Sequence, residues 1–248
     1  MDPCWLSPQW HPSSYLKSII TTRDGGVSEA PYDSMNLGLH VGDDPQHVLA
    51  NRRLLALNLP SEPLWLNQVH STVVIDADKP HNLVPVADAA VTTREDCVLA
   101  VMTADCLPVL LANETASVIG IAHAGWRGLA SGVIEATLQM MKTKVSNSGA
   151  WYAYLGPAIG PKHFEVGFEV REAFLSTHPQ AVAAFHASGA PDKYLADLYV
   201  LARMRLEAAG VMHVAGGQDC TYANRSFYSY RRDKTAGRMA SLIWRASK

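Results

Sequence analysis

Three apolar runs, CVLAVM (97–102), PVLLA (108–112) and SVIGIA (117–122), follow one another closely in the middle of the chain. Each has the length of a strand and lacks the polar alternation of a strand wetted on one face. Runs of this kind belong to sheets covered on both sides, so the rest of the chain must supply the covering layers. TVVID (72–76) and WYAYL (151–155) read as further strands. Helical periodicity supplies the cover in RGLASGVIEATLQMMKTK (127–144), through Leu129, Val133, Leu138 and Met141, and in 192–210, through Leu195, Leu198, Leu201 and Leu206. There Asp192 reads as the cap and Gly210 as the stop. A further helix is expected in DDPQHVLANRRLLALN, with Asp44 as N-cap and Pro45 in the first turn. Strands and helices intermingle without a regular βαβ alternation. This predicts an α/β (α+β) fold of mixed sheets between helical layers, rather than a doubly wound sheet or a closed barrel.

The 248 residues read as a single domain spanning 1–248, with residues 1–20 uninformative. The stretch from Thr21 to Asp44, rich in Gly, Asp and Asn, reads as an ordered loop with short strands. A net charge of −2 gives no reason to expect nucleic acid or anionic membrane as a partner. No basic and apolar leader opens the chain and no apolar stretch is long enough to span a bilayer, so a cytoplasmic location is expected. Cys4, Cys97, Cys106 and Cys220 form no CxxC pair and read as reduced thiols.

Common catalytic motifs are missing. There is no P-loop, no GxGxxG, no GxSxG elbow and no HExxH. His163 and Glu165 form an HxE, but no PCxxC follows, so the zinc base-deaminase signature fails. No HxH pair exists to hold several copper ions, and copper is not expected.

Three segments remain: NQVHS (67–71), MTADCLPVLL (102–111) and IAHAGWRG (121–128). Each brings a histidine or cysteine to a boundary between an apolar run and a loop. His70, Cys106 and His123 together offer two imidazoles and a thiolate, a set suited to one zinc ion with a fourth position open. The spacing alone leaves two other readings standing. Cys106 with His123 as its base is a nucleophilic dyad, and all three residues could also be ordinary core and cap residues.

The segments TTRDGGVS, YDSMNLGLHVGDD, WLNQVH, VMTADCLPVLL, AHAGWRG, YLGPAIGP, DCTY and FYSYRRDKTAGRMAS resemble, in the same order, the YfiH family. That family is also called DUF152 and has been labelled polyphenol oxidase or laccase. The resemblance runs from about Thr21 to Arg245. It implies two mixed sheets between helical layers, similar to the catalytic domain of cytotoxic necrotizing factor toxins. It implies one zinc ion on His70, Cys106 and His123. It further implies purine nucleoside phosphorylase activity, with adenosine deamination and methylthioadenosine cleavage, on purine nucleosides and phosphate. A second role implied for the family is the editing of peptidoglycan precursors that carry L-serine. A Cys-His amidohydrolase doing that work is the alternative enzyme, and a non-enzymatic binding protein is the third class.

Phosphorolysis needs cationic forks for phosphate. Arg127 beside the metal loop, Arg52 in the first helix and Arg232 in SYRRDK are the candidates. Asn36 and Gln68 lie in the resembling segments and are candidate sugar or base contacts. Asp105 is the candidate acid for deamination, or an orienting group for a ligand imidazole. Trp126 is a stacking surface or a core aromatic, and Asp219 with Cys220 is a second polar strand end.

Overall fold

The computed structural model describes residues 5–10 and 12–247; Cys4 lies outside them. The strands are β1 (Leu16–Ile20), β2 (Val74–Asp76), β3 (Ala89–Thr92), β4 (Leu99–Thr103), β5 (Leu107–Asn113), β6 (Ile119–Ala124), β7 (Trp151–Leu155), β8 (Glu165–Gly167), β9 (Phe185–Ala187), β10 (Lys193–Ala196), β11 (His213–Gly216) and β12 (Met239–Arg245). The helices are α1 (Pro45–Ala56), α2 (Trp126–Ser131), α3 (Val133–Thr143), α4 (Phe168–Leu175), α5 (Leu198–Ala208) and α6 (Tyr230–Asp233).

Every residue of β4, β5 and β6 is buried, as unbroken apolar runs require. Six strands form one sheet in the order β11-β7-β5-β6-β3-β2, with parallel pairs at both edges and antiparallel pairs between. Along β5 the side chains alternate between two cores. Val109 and Leu111 pack with Val133, Leu138 and Met141 of α3, while Leu110 and Ala112 pack with Leu99, Val101 and Ile243 of a second sheet. That sheet, β1-β12-β4, is antiparallel throughout. Its other face, including Ala100, Met102 and Leu242, is covered by Leu55 of α1 and by Met35 and Leu37. The layers therefore run helix, sheet, sheet, helix, and each fully buried Leu or Val stabilises them by about 1.5–3 kcal/mol. A third small sheet, β8-β10-β9, is also antiparallel, so one sheet is mixed where the resemblance implied two.

Several expected elements are corrected. The stretch 127–144 is two helices, because Gly132 adopts φ +98 and ends α2 in a left-handed turn. Residues 193–196 pair in register with β8 and β9, so the helix expected from 192 begins only at Leu198. Its cap is Asp197, whose carboxylate accepts from the Tyr199 and Val200 amides, and not Asp192. No strand lies within 21–44, whereas the uninformative first twenty residues contain β1. The first helix has its expected start: Pro45 follows Asp44, which accepts from the Gln46 amide. Among the described residues no helix is long and apolar enough to cross a membrane.

Candidate metal centre

Strand register brings the distant residues together. Leu107 at the start of β5 pairs with Ala124 at the end of β6, so Cys106 emerges beside His123. Ala89 pairs with Ala122, which sets Asp88 against His123 from the other side; the His123 amide donates to the Asp88 carbonyl at 2.7 Å. β2 runs parallel to β3 with Val74 opposite Ala89, so the loop entering β2 delivers His70 to the same edge. Ligating atoms of His70, Cys106 and His123 lie within 4.8 Å of one another. The two imidazoles meet edge to face, with centroids 4.8 Å apart. His123 is buried, Cys106 half-buried and His70 exposed.

The residues fit a single metal ion on two further observations. First, a Cβ on Gly125 would sit 2.5 Å from His70 Nδ1 and 3.1 Å from Cys106 Sγ, so only a glycine lets these ligands approach the loop. Second, His123 Nδ1 is held by Asp88 Oδ1 at 2.8 Å, which leaves Nε2 as the free donor.

Asp88 does more than hold His123. Its carboxylate also accepts from the amides of Val69 (3.2 Å), His70 (2.9 Å) and Ser71 (2.6 Å) and from the Ser71 hydroxyl (2.8 Å). One buried side chain thus orients one ligand ring and shapes the loop of another. That loop needs the support, since His70 adopts φ +61, a region costly for a residue with a Cβ. Burial alone would raise the Asp88 pKa, but the bonds from His123 and Ser71 outweigh it and hold the carboxyl well below its usual range. Burial likewise acts to lower His123, yet the Cys106 charge and Asp88 push it up to about 9. His70 is held below its ordinary value by burial first and then by the neighbouring His123.

The centre forms one wall of a cleft of about 490 Å³. His40, Arg127, Arg231 and Arg238 line the same cleft, as do Trp126 and Phe164; Arg231 donates to the Glu165 carbonyl at 2.9 Å and lies over the Phe164 ring at 5.3 Å. Arg127 lines the cleft with its guanidinium over the Trp126 ring at 4.4 Å. α2 is only six residues long, so the cation here is Arg127 itself and not the helix end. Gln68 lines the cleft, but its amide is tied to both backbone groups of Met102, at 2.7 and 2.8 Å.

Other expected contacts lie elsewhere. Arg52 donates twice to the Leu37 carbonyl and stacks on Trp65, away from the cleft. Arg232 uses its fork on the carbonyls of Thr221, Tyr222 and Phe227, pinning the loop that precedes it. Asn36 is fully buried and joins Gly38, Asp43 and the Arg238 amide. Asp105 does line the cleft, but its two oxygens accept from Thr221 Oγ1 and the Arg231 amide, both at 2.6 Å. At φ +98 it fixes the turn that presents Cys106, and the orienting contact to a ligand imidazole belongs to Asp88 instead.

The sequence reading missed Asp88, His40, Arg231 and Arg238. Asp88 immediately precedes the buried strand AAVT, a strand-end carboxylate of the kind that drew attention to Asp105. Arg238 lies in a resembling segment. Its Nη1 is held by the Ala236 and Gly237 carbonyls, and burial lowers its pKa against the opposing pull of Cys106 and Asp105.

Comparison with known proteins finds one family whose members carry different activity names. The family model described as multi-copper polyphenol oxidoreductase laccase matches residues 17–246. Purine nucleoside phosphorylase YfiH of Escherichia coli is 52% identical over 242 residues, covering 96% of this chain and 98% of that protein. A purine nucleoside phosphorylase of Pseudomonas aeruginosa is 48% identical over 241 residues, with 97% and 98% covered. Among solved structures, a DUF152 protein of Neisseria meningitidis superposes with a TM-score of 0.92 at 47% identity, covering 98% of this chain and 99% of that one. YlmD of Geobacillus stearothermophilus gives 0.91 at 32% identity, covering 100% and 98%.

Proposed function

The chain belongs to the multi-copper polyphenol oxidoreductase laccase family, also known as YfiH or DUF152, and on that premise we propose that it is a zinc-dependent purine nucleoside phosphorylase. Its further activities are adenosine deamination and methylthioadenosine phosphorolysis at the same centre. It acts on small molecules in the cytoplasm, without nucleic acid or membrane partners. The observation that carries this reading is the meeting of His70, Cys106 and His123 on the wall of a nucleoside-sized cleft lined by arginines.

His70, Cys106 and His123 would hold the ion, and zinc bound there would supply Lewis-acid polarisation. A mononuclear blue-copper centre also uses two histidines and a cysteine, with a weak axial methionine. Here Met102 Sδ is engaged by Arg52 at 3.8 Å, and Cys106 opens onto a solvent-reaching cleft, which favours zinc.

Phosphorolysis breaks the C1′–N9 bond as a phosphate oxygen bonds to C1′, and the bonding electrons leave with the purine. Arg238 and Arg231 are the phosphate-binding pair, with Arg127 as a third cation, because all three line one volume. His40 lines the same cleft, its pKa held below the ordinary value by burial and by the charges of Arg238 and Arg52, and its ring is the candidate partner of a ribose hydroxyl. Phe164 and Trp126 flank the space for the base. Asp105 is a positioning residue for Cys106. Gln68 holds the wall at Met102, and Asn36, Arg52 and Arg232 hold loops behind it.

The line Asp88–His123–Cys106 also has the order of acid, base and thiol found in cysteine hydrolases. It favours, as a second reading, the amidohydrolase that edits peptidoglycan precursors. One experiment separates the two. Protein purified without added metal is analysed for zinc and copper, then assayed for phosphate-dependent conversion of inosine to hypoxanthine before and after chelation. About one zinc per chain, with turnover lost on chelation and on His70→Ala, supports the phosphorylase. Amidase activity that survives chelation and vanishes in Cys106→Ser supports the hydrolase.

A further inference from the structure

A second thiol stands on the far side of the wall that carries Asp105. Residues 158–160 and 219–221 run side by side, bridged in parallel at Ala158 and Cys220. Thr221 turns toward the metal cleft and donates to Asp105, and its neighbour Cys220 turns the other way into a separate cavity of about 420 Å³. In that cavity His163 Nδ1 lies 3.5 Å from Cys220 Sγ, and the Gly160 amide donates to the same sulfur at 3.2 Å. The His163 ring is stacked on Tyr222, with centroids 4.5 Å apart and planes 20° from parallel, which fixes the nitrogen toward the sulfur. An inert thiol sits in apolar packing, whereas this one has a proton acceptor, an amide donor and open space. Lys162 and Arg203 line the cavity together with Asp197 and Asp219, and Arg203 is held by the Val214 and Gly216 carbonyls, so the charges around the thiol are mixed.

We propose that Cys220 and His163 form a thiol-modification site that takes small disulfides. His163 Nδ1 accepts the Cys220 proton, and Sγ attacks one sulfur of the disulfide. A new S–S bond forms as the old one breaks, and the departing thiolate takes the proton back from His163. The disulfide is the oxidant, so Cys220 is oxidised as one half of the reagent is reduced. The centre stands independently of the metal cleft and of the phosphorylase reading.

Oxidised glutathione is the probe, applied to the purified full-length protein and followed by peptide mass mapping of each cysteine. Cys97, also half-buried and with its thiol pushed up by burial, is the internal reference. Cys220 should form the mixed disulfide at least about tenfold faster than Cys97. His163→Phe keeps a ring against Tyr222 and should slow Cys220 about tenfold while leaving Cys97 unchanged. Equal rates at the two cysteines, or a Cys220 rate indifferent to H163F, overturn the proposal. If H163F does not fold, the rate ratio in native and urea-unfolded wild-type protein decides. A ratio that collapses toward one on unfolding supports the site, and a ratio near one in the folded protein overturns it.

Discussion

Asp88→Asn tests whether one carboxylate organises the metal centre. Asp88 accepts five hydrogen bonds, three on Oδ2 from Val69, Ser71 N and Ser71 Oγ, and two on Oδ1 from His70 N and His123. An asparagine keeps the shape but turns one oxygen into an amide NH2, which then faces donors. If the oxygen stays with Ser71, the NH2 faces the His70 amide and His123 Nδ1. His123 must then move its proton to Nε2, the atom needed by the metal. Losing two charge-assisted bonds in a fully buried site should cost about 3–5 kcal/mol of stability. For a chain of this length that corresponds to a fall in Tm of roughly 6–20 °C, measured with chelator present so that metal does not contribute. Zinc affinity, read by competition with a chromophoric chelator, should drop by about 10–100-fold. Unchanged Tm together with a zinc Kd within about threefold of wild type would refute the reasoning.

Gly125→Ala places a methyl group against the His70 ring and should reduce bound zinc at least about tenfold, by metal analysis, while the circular dichroism of the fold is retained. Full zinc content in that variant counts against His70 as a ligand. Arg238→Ala should raise the KM for phosphate by about tenfold or more and, by freeing the Ala236 and Gly237 carbonyls, also lower stability by about 1–3 kcal/mol. Arg232→Ala should lower stability by about 2–4 kcal/mol by freeing three carbonyls. Lys144→Met removes a cation held between Asp76 at 2.5 Å and Asp78 at 2.7 Å, and should cost about 1–3 kcal/mol at neutral pH in urea unfolding. Burial raises both carboxyls, but the bonds from Lys144 outweigh it and leave them depressed, so their contribution is complete above the ordinary value of 3.8 and fades as pH falls below it. Lys144 is raised above 10.5 by the same carboxylates against the effect of burial, so its contribution is lost as pH rises through that higher value. The wild-type minus mutant difference should therefore be flat between about pH 5 and 9.5 and shrink at both ends.

What the sequence determined rests on local physics. Apolar runs such as PVLLA and SVIGIA read as strands covered on both faces, and the strands they form, β5 and β6, are fully buried. Asp44 followed by Pro45 starts a helix wherever it occurs with apolar spacing behind it. His70, Cys106 and His123 were legible as a candidate set because each stands at a boundary between strand and loop, and the resembling segments enclose all three. Tertiary structure decided whatever depends on which strand lies beside which. Lys193–Ala196 carries helical spacing, yet pairing with β8 and β9 makes it a strand, because two ladders of hydrogen bonds outweigh a local preference. An arginine's sequence position does not say whether its fork meets a carbonyl or a ligand. All four of Arg52, Arg232, Arg231 and Arg238 donate to backbone carbonyls, but only Arg231 and Arg238 also line the cleft. Asp88 became the organiser of the site only when β3 settled between β6 and β2, since its partners come from segments 17 to 35 residues away in the chain.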